Sequence, residues 1–297
     1  MSPGMRRLQL FEFNEISWLP AQLRVLITDY LVCLTRLTPA FFQRLPLLAK
    51  AMRHASRQDQ VVDLCSGSGG AWHQLADRLD RMFPHAVEIV LTDLYPDCHH
   101  QHLLNAHPKL RFHPEAIDAT QPSHRLDGLQ TLFNAFHQFP PEQARQVLGR
   151  AVENQQPIAV MELLQRRWTM LPLVLLTPLM VLILTPFIRP LSSWRLAMTY
   201  LLPLAPLLIT WDTLVSWLRC YTPEELMTMA RSLDAPHYHW EAGSYWYRWT
   251  PVTYLVGYPV PDQPGHEAGL KTETTVAISA IEPAGADAGP VAPRPGR

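Results

Sequence analysis

The amino-acid sequence predicts an α/β fold with a mostly parallel β-sheet, N-terminal helices and an inserted apolar helical hairpin. Short apolar runs that are typical of strands alternate with amphipathic helical stretches, and a glycine-rich turn follows the first of these strands. After the fifth strand the alternation stops at a long stretch that is almost free of charge. Strands that alternate with helices favour a parallel sheet covered on both faces, so one main core is expected.

The composition limits the class of partner. With 297 residues, of which 47% are hydrophobic, the chain can bury one substantial core. Lys and Arg together number 25 and Asp and Glu number 26, so the net charge of -1 gives no general attraction to a phosphate backbone. No nucleic-acid partner is therefore expected. The four cysteines show no paired spacing and the N-terminus has no apolar run of the export type, which indicates reduced thiols in the cytoplasm.

The order of elements follows from hydrophobic periodicity. Two amphipathic helices are predicted before the first strand, at residues 20–37 and 41–54, because apolar side chains recur there at helical spacings. Strands are predicted at residues 61–64, 88–92, 110–117, 129–134, 157–163, 237–241 and 252–258. Helices between them are predicted at residues 71–82, 96–105 and 141–152. A further helix begins after Thr222, since Thr222, Pro223 and Glu225 form the pattern of a capping box.

A glycine-rich turn at the end of the first strand indicates a nucleotide site. The strand ends at Asp63 and the turn contains Gly67 and Gly69, which let a backbone come close to a nucleotide, while the next helix offers free N–H groups. Asp93 closes the second strand, one β-α-β unit later, and so is expected at the same edge of the sheet. A carboxylate at that place can accept hydrogen bonds from both ribose hydroxyls.

The segment from Val61 through Asp63 and Cys65 to Gly69 resembles the first motif of class I S-adenosylmethionine-dependent methyltransferases. The resemblance implies a Rossmann-like, seven-stranded methyltransferase sheet with S-adenosylmethionine as cofactor. It also implies that Gly67 and Gly69 lie beside the methionine part of the cofactor and Asp63 near its amino group. One departure is Cys65, which replaces the usual first glycine, so the turn has to accommodate a side chain there.

Three later segments extend the resemblance to this family. Asp93 matches the acidic second motif that holds the ribose. Asp118 and Ala119 resemble the third motif, where an Asp side chain meets the adenine amine. Asn134 and His137 lie in a segment similar to the one that lines cofactor and substrate after the fourth strand. The resemblance implies a methyltransferase with these residues in its cofactor site.

Two residues near this predicted site have more than one interpretation. His137 is a tentative catalytic residue, because an imidazole at the pocket edge could accept a proton from the substrate. The alternative is a histidine that is hydrogen-bonded beneath the cofactor. Glu162, at the end of the fifth strand, either orients a substrate or satisfies a nearby backbone group.

For the N-terminal region, Trp18, Asp29 and Tyr30 are candidates for a lid, although packing in a helix core also explains Tyr30.

Some features of the sequence also have interpretations other than methyl transfer. A nicotinamide-dependent dehydrogenase shares the turn and the acid, but it normally has a third glycine where this chain has Trp72. A non-catalytic membrane or interaction module that retains the fold is the alternative of a different class. The cluster from Cys98 to His102 looks like a set of metal ligands, but a solvated helix explains it better and no metal is expected.

The stretch after the fifth strand contains two segments without charged residues, at 171–188 and 196–211. If helical, they would be about 27 Å and about 24 Å long, close to the ~30 Å of a bilayer's hydrocarbon. Because strands precede and follow them, a hairpin is expected, which contacts a membrane from its cytoplasmic side or covers the enzyme as an apolar lid. Its location predicts a lipophilic small-molecule substrate and a cofactor edge that does not depend on the hairpin.

These expectations divide the chain into successive regions. The predicted regions are an N-terminal helical cap at 1–56, a methyltransferase core at 57–165 and 220–260, an apolar insertion at 166–219 and a disordered tail at 261–297. The tail is assigned from its Ala, Gly, Pro and Glu content and its few large apolar residues. The chemical nature of the methyl acceptor, at oxygen, nitrogen or carbon, stays open.

Overall fold

The structure is a computed structural model. It describes residues 5–16, 18–37, 40–67, 69–96, 108–121, 127–248 and 250–260. These residues belong to one compact unit. Residues 97–105 of the predicted helix, the whole cluster from Cys98 to His102 and the predicted tail at 261–297 lie outside the described residues.

The centre of the protein is a seven-stranded sheet with the order β3-β2-β1-β4-β5-β7-β6. The strands are β1 Gln60–Asp63, β2 Glu88–Leu91, β3 Leu110–Phe112, β4 Leu129–Phe133, β5 Ile158–Glu162, β6 Tyr238–Tyr247 and β7 Thr250–Pro259. The first five are parallel to one another, and β7 is antiparallel to both β5 and β6. The first five strands follow the Rossmann order, which confirms the predicted Rossmann-like α/β sheet.

Helices lie before the sheet, between its strands and in the apolar stretch. They are α1 Ala21–Leu37, α2 Leu45–Met52, α3 Trp72–Asp80, α4 Pro141–Glu153, α5 Leu171–Leu175, α6 Thr177–Leu184, α7 Ser193–Tyr200, α8 Leu204–Arg219 and α9 Pro223–Arg231. The second predicted helix is divided into a 3-10 turn at Ala40–Arg44 and the α-helix α2. Pro46, in the first turn of α2, is well placed to start a helix, because its missing N–H is not needed there.

Two apolar layers cover the two faces of the sheet. Adjacent residues of a strand point to opposite faces. Val61 therefore packs in one cluster with side chains of α2 and α3, and Val62 packs in the other with side chains of α4 and α9. The same alternation places Ala159 and Val160 of β5 in different clusters. Burial on both faces explains why these strands are continuous apolar runs in the sequence.

Three strands differ in length from the prediction. The strand predicted at 110–117 ends at Phe112, and the chain then turns so that the Ile117 N–H donates to the Asp93 carbonyl at 2.9 Å. The last two strands are longer than predicted, because β6 and β7 pair over their whole length as a hairpin. Residues of β6 are mostly half-buried, and this weakens the apolar pattern from which its extent was predicted.

The apolar stretch folds into α5 to α8, in which α6 packs against α8 and a bend of 75° separates α7 from α8. Its inward side chains share one cluster with the N-terminal helix: Ile27 and Tyr30 of α1 pack with Val181 of α6 and Ile209 of α8. The N-terminal helix and the apolar stretch are therefore packed together, although the sequence analysis treats them as separate regions.

The capping box predicted at the start of α9 is confirmed. The Glu225 N–H donates to Thr222 Oγ1 at 3.2 Å, and the Thr222 N–H donates to Glu225 Oε2 at 2.9 Å. We expect Thr222→Ala to lower the free energy of unfolding by about 1 kcal/mol, because the Glu225 N–H in the first turn loses its hydroxyl acceptor. Urea denaturation followed by circular dichroism measures this change.

The matched control is Thr228→Ala in the same helix. Thr228 is exposed and its hydroxyl donates to the Glu224 carbonyl, so alanine there removes no cap. Equal losses of stability in the two variants would contradict a specific role for the capping box.

Candidate functional site

A cavity of about 410 Å³ opens at the carboxyl ends of β1, β2 and β4. This is the place where the strand order reverses direction, between β1 and β4, and where open α/β sheets bind ligands. All of the predicted cofactor residues line it, namely Asp63, Cys65, Gly67, Gly69, Asp93, Asp118, Ala119 and Asn134. The structure therefore brings together at one site residues that come from four different parts of the chain.

The turn after β1 is held in a conformation that glycine favours. Cys65, Gly67 and Gly69 have positive φ angles of 55°, 52° and 74°. Cys65 thus adopts the left-handed backbone that the glycine usual at this place would adopt more easily. A Cβ on Gly67 would have no neighbour within 4 Å, so backbone conformation rather than crowding favours glycine there. The Ser66 N–H donates to the Thr92 carbonyl at 2.9 Å and attaches the turn to the end of β2.

Asp93 joins the loops that follow β1 and β2. Its Oδ2 accepts a hydrogen bond from the Gly67 N–H and its Oδ1 accepts one from the Tyr95 N–H, both at 2.9 Å. Burial raises the pKa of Asp93, while these backbone hydrogen bonds favour the charged form and oppose the rise. Each carboxylate oxygen has a second acceptor position. Asp93 can therefore hold the glycine-rich turn and still accept a hydrogen bond from a ligand.

Asp63 lies at the bottom of the cavity and is buried. Burial raises its pKa to about 6, although the hydrogen bond from Thr131 Oγ1 to its Oδ1, at 2.6 Å, favours the charged form. The described surroundings give this carboxylate hydroxyl and indole partners but no cation. A ligand with a positive charge near Asp63 would supply the missing counter-charge.

Asp118 and Asn134 form other parts of the wall. Asp118 Oδ1 accepts hydrogen bonds from both the N–H and the hydroxyl of Thr120, at 2.8 and 2.7 Å. Asn134 has a φ angle of 55°, and its Oδ1 accepts a hydrogen bond from the Leu163 N–H at 2.9 Å. Asn134 therefore braces the end of β4 against the residue that follows β5, and it shapes the cavity through this contact.

His137 is not among the described residues that line the cavity. It is buried between two carboxylates: its Nδ1 lies 2.8 Å from Glu162 Oε2 and its Nε2 lies 3.4 Å from Glu12 Oε1. Burial alone lowers the pKa of His137, but Glu162 and Glu12 outweigh burial and raise it to about 10. A histidine that is already protonated at neutral pH cannot act as a general base, so the structure favours the alternative of a hydrogen-bonded histidine beneath the cavity.

Glu162 also takes a structural part in this arrangement. Its Oε1 accepts a hydrogen bond from the His137 N–H at 3.1 Å, in addition to the contact of Oε2 with the ring. Of the two interpretations considered for Glu162, the structure favours the one in which it satisfies local polar groups. The contact between Glu162 and His137 could not be predicted from the sequence, because 25 positions separate the two residues.

Another wall of the cavity comes from the N-terminal region, and these residues were not predicted from the sequence. From α1, the wall contains Arg24, Thr28, Leu31 and Thr35, which follow one another at helical spacings of three and four. This polar stripe on an otherwise apolar helix is the signal that could have identified them. The residues proposed for a lid lie elsewhere: Trp18 is exposed, Tyr30 is in the core and Asp29 pairs with Arg195.

The rest of this wall is a segment that we call the N-terminal strap, residues 5–16. Its Asn14 and Glu15 line the cavity, and the Arg24 guanidinium donates to the Asn14 carbonyl at 2.9 Å. The strap lies along α8, where the Leu8 N–H donates to the Leu218 carbonyl at 3.2 Å. The position of two wall residues therefore depends on how the strap is held.

Polar side chains of α8 hold the strap. Asp212 accepts hydrogen bonds from the Phe13 and Asn14 N–H groups at 2.7 and 3.2 Å, and burial raises its pKa to about 7. Arg219 forms an ion pair with Glu15, in which Nη2 lies 2.9 Å from Oε2. The wall that the strap forms therefore depends on α8, the last helix of the apolar stretch, whereas the expectation that the cofactor edge does not depend on the hairpin stays a prediction.

Comparisons with known proteins give structural likeness at low sequence identity. No protein-family model and no curated protein matches the chain. Among solved structures, it is similar to an O-methyltransferase family protein from Burkholderia thailandensis, with 14% identity, a TM-score of 0.43 and coverage of 77% of this chain and 58% of that one. It is also similar to human N-acetylserotonin methyltransferase, with 13% identity, a TM-score of 0.45 and coverage of 79% and 56%. A third similar structure is the plantazolicin methyltransferase BamL, with 8% identity, a TM-score of 0.43 and coverage of 80% and 99%.

The length of the match differs among these proteins. The chain spans little more than half of the first two structures, whereas it spans nearly the whole of the third.

The burial of His137 leads to a pH dependence of stability. Its pKa is about 10 in the folded protein and about 6.5 when unfolded. The stabilisation is complete below pH ~6.5 and is lost as the pH rises towards 10, because the unfolded chain then binds fewer protons than the folded one. We expect the free energy of unfolding to fall by at most about 1.4 kcal/mol per pH unit in this range from this group. Urea titrations at several pH values measure it.

The variant His137→Gln should flatten this slope, and His85→Gln, at an exposed histidine, should leave it unchanged. Imidazole nitrogen shifts in the NMR spectrum report the His137 titration in the wild-type protein directly. A ring that loses its proton near pH 6.5 would contradict the ion-paired arrangement.

Proposed function

We propose that the protein is an S-adenosylmethionine-dependent methyltransferase that acts on a lipophilic small molecule at the cytoplasmic side of a membrane. The observation that carries the proposal is the cavity itself: the glycine-rich turn after β1, Asp93 after β2 and Asp118 face one space at the reversal point of the sheet. These residues were predicted from motifs before their positions were considered. Their meeting at one cavity supports a common ligand.

The charges of the cavity suit this cofactor. Asp63, Asp93, Asp118 and Glu15 give the wall four carboxylates, and Arg24 is its one basic side chain among the described residues. S-Adenosylmethionine carries a sulfonium and an ammonium group, so it would bring positive charge to this wall. Asp63 would face the ammonium group, which explains how a buried carboxylate without a cationic neighbour is tolerated. Asp93 would accept hydrogen bonds from the ribose hydroxyls, and Asp118 would meet the adenine amine.

When bound, the cofactor would supply an activated methyl group, which would pass in line to a nucleophile of the acceptor as the S–CH3 bond breaks and S-adenosylhomocysteine leaves. The contribution of the chain is to align the two reactants and to exclude water. The strap and α1 form another wall of the cavity, and the acceptor would lie against this wall. His137 does not take a proton in this proposal, because Glu162 and Glu12 keep it protonated.

A lipophilic acceptor is supported by the apolar residues of the cavity and its mouth. Leu31, Leu94 and Tyr95 all line the cavity and are exposed. Phe133 and Phe139 also line it. Apolar walls with a few placed polar groups are typical of sites for small apolar molecules. On the other side of α1 lies the apolar stretch, so an acceptor dissolved in lipid would have a short path to the site.

We expect the purified protein to bind S-adenosylhomocysteine with micromolar affinity or better. Asp93→Ala should weaken binding by about 1.5–3 kcal/mol, because charge-assisted hydrogen bonds to the ribose are lost. The control is Asp59→Ala, which removes a half-exposed carboxylate just before β1, at the opposite edge of the sheet. Isothermal titration calorimetry measures both variants. Absence of heat, together with absence of a thermal shift at millimolar cofactor, would refute the methyltransferase assignment.

Methyl transfer itself is tested with cofactor labelled in its methyl group and fractionated cell lipids as acceptors. We expect label to enter the organic phase with wild-type protein and to drop at least about tenfold with Asp93→Ala, as the loss in binding requires. Label that enters only water-soluble compounds would refute the lipophilic acceptor. Cofactor binding without transfer to any fraction would favour the non-catalytic alternative.

A further inference from the structure

More than half of the large apolar side chains that are exposed in the described part of the chain lie between residues 168 and 207. We call this surface the apolar face; it includes Trp168, Leu175, Phe187, Leu201 and Leu207. Phe187 and Leu201 are 71% and 79% exposed. Soluble monomers seldom expose a contiguous apolar surface beyond a few hundred Å², so a concentration of this kind marks an interaction surface.

The charge pattern of the same stretch is one-sided. From Leu163 to Trp211 the sequence contains no Asp, Glu or Lys, and its four charged residues are the arginines 166, 167, 189 and 195. Two of these point inward: Arg166 is buried and lies 2.5 Å from Glu225, and Arg195 is buried and pairs with Asp29. The charges left at the surface of this stretch are therefore cationic only, which complements an anionic surface.

The inward position of Arg195 favours lipid over water as the environment of this stretch. The Arg195 guanidinium also donates to the Ile188 carbonyl at 2.7 Å, so it is satisfied inside the cluster that α1 and α6 to α8 form. In proteins that contact hydrocarbon, ionisable groups turn to the interior in this way, whereas helices facing water carry charges outward. Trp168 and Trp194 are exposed on the same stretch, and such aromatic rings are typical of the membrane–water boundary.

The lengths and attachments of these helices favour insertion from one side over a crossing. The apolar helical run Trp168–Phe187 has 20 residues and a mean hydropathy of 2.2, so it is long and apolar enough to cross a membrane, and only 28% of its most apolar window is buried, unlike a core helix. A crossing would require the chain to return through α7 and α8, which are bent by 75°. α7 has eight residues and is about 12 Å long, against ~30 Å of hydrocarbon. The C-terminal half of α8 is engaged with the strap through Asp212 and Arg219. The stretch leaves the sheet after β5 and returns to it at α9, so both of its ends belong to the globular core.

We infer that the apolar face is a docking surface for a bilayer with anionic headgroups, into which its exposed leucine and aromatic side chains insert from one side. Exposed Arg167 and Arg189 would meet the headgroups while the apolar side chains enter the hydrocarbon. The inference specifies the surface that would hold the proposed methyltransferase at its membrane. The inference is argued from the apolar face alone. Its failure would therefore leave the proposals of cofactor binding and methyl transfer standing, because those are tested by separate experiments.

The test is flotation of the purified full-length protein with phosphatidylcholine vesicles, with and without phosphatidylserine. We expect the protein to float with both, more strongly with phosphatidylserine, and to stay bound in high salt, because insertion is apolar while the arginine contribution is screened. The double variant Phe187→Glu with Leu201→Glu should weaken partition about tenfold or more, since two charges enter the inserted surface.

The matched control is Met82→Glu with Trp246→Glu, at side chains that are 37% and 51% exposed outside the apolar face. It should bind vesicles like the wild type, and all variants should bind S-adenosylhomocysteine as the wild type does, which shows that they are folded.

Three results would overturn the inference. The first is wild-type protein that stays in the aqueous phase with both vesicle types. The second is complete release by high salt, which means adhesion by the arginines alone. The third is a concentration-dependent oligomer in light scattering that the double variant dissociates, because the face would then bind a second copy of the chain.

Discussion

A line of buried charges connects the end of the sheet to the wall of the cavity. Glu162 at the end of β5 contacts His137, His137 contacts Glu12 of the strap, and Glu12 and Glu15 both contact Arg219 of α8. Glu12 and Glu162 are buried, and each would be costly to bury without the His137 or Arg219 cation beside it. His137 stays protonated for the same reason. Because the members come from four separate elements, their mutual pairing determines where the strap lies and hence where Glu15 meets the cavity.

Helix α1 relates the cavity to the apolar face. One stripe of the helix, through Arg24 and Thr28, lines the cavity, and another, through Ile27 and Tyr30, packs against α6 and α8. A helix has room for two such stripes, because residues three and four apart share a face. The proposed acceptor wall is therefore packed directly against the helices that bear the proposed docking surface. A displacement of α8 would move the strap and α1 together.

Local signals in the sequence were sufficient for much of the fold and for one side of the site. The turn at Gly67 and Gly69, the acid Asp93 and the capping box at Thr222 each lie within a few residues of the feature they predict, and the structure has all of them in place. The strap was missed because its contacts are remote: Glu15 and Arg219 are 204 positions apart. The sequence leaves two interpretations of His137 open, because its protonation depends on Glu12 and Glu162, neither of which adjoins it in the sequence. Charge pairs of this kind leave no periodic pattern.

The remoteness of the strap also orders events during folding. The strap is synthesised before α8, and its anchors on α8 lie more than two hundred residues downstream. A contact of such long sequence separation forms after local helices and hairpins, since closing the large loop between its ends costs chain entropy before any contact compensates for it. Strands β1 to β5 and the glycine-rich turn precede α8 in the chain, so they can pair while the wall formed by the strap is still open. The nascent protein acquires half of its binding site early and completes the enclosure only when the segment that bears the apolar face has been synthesised.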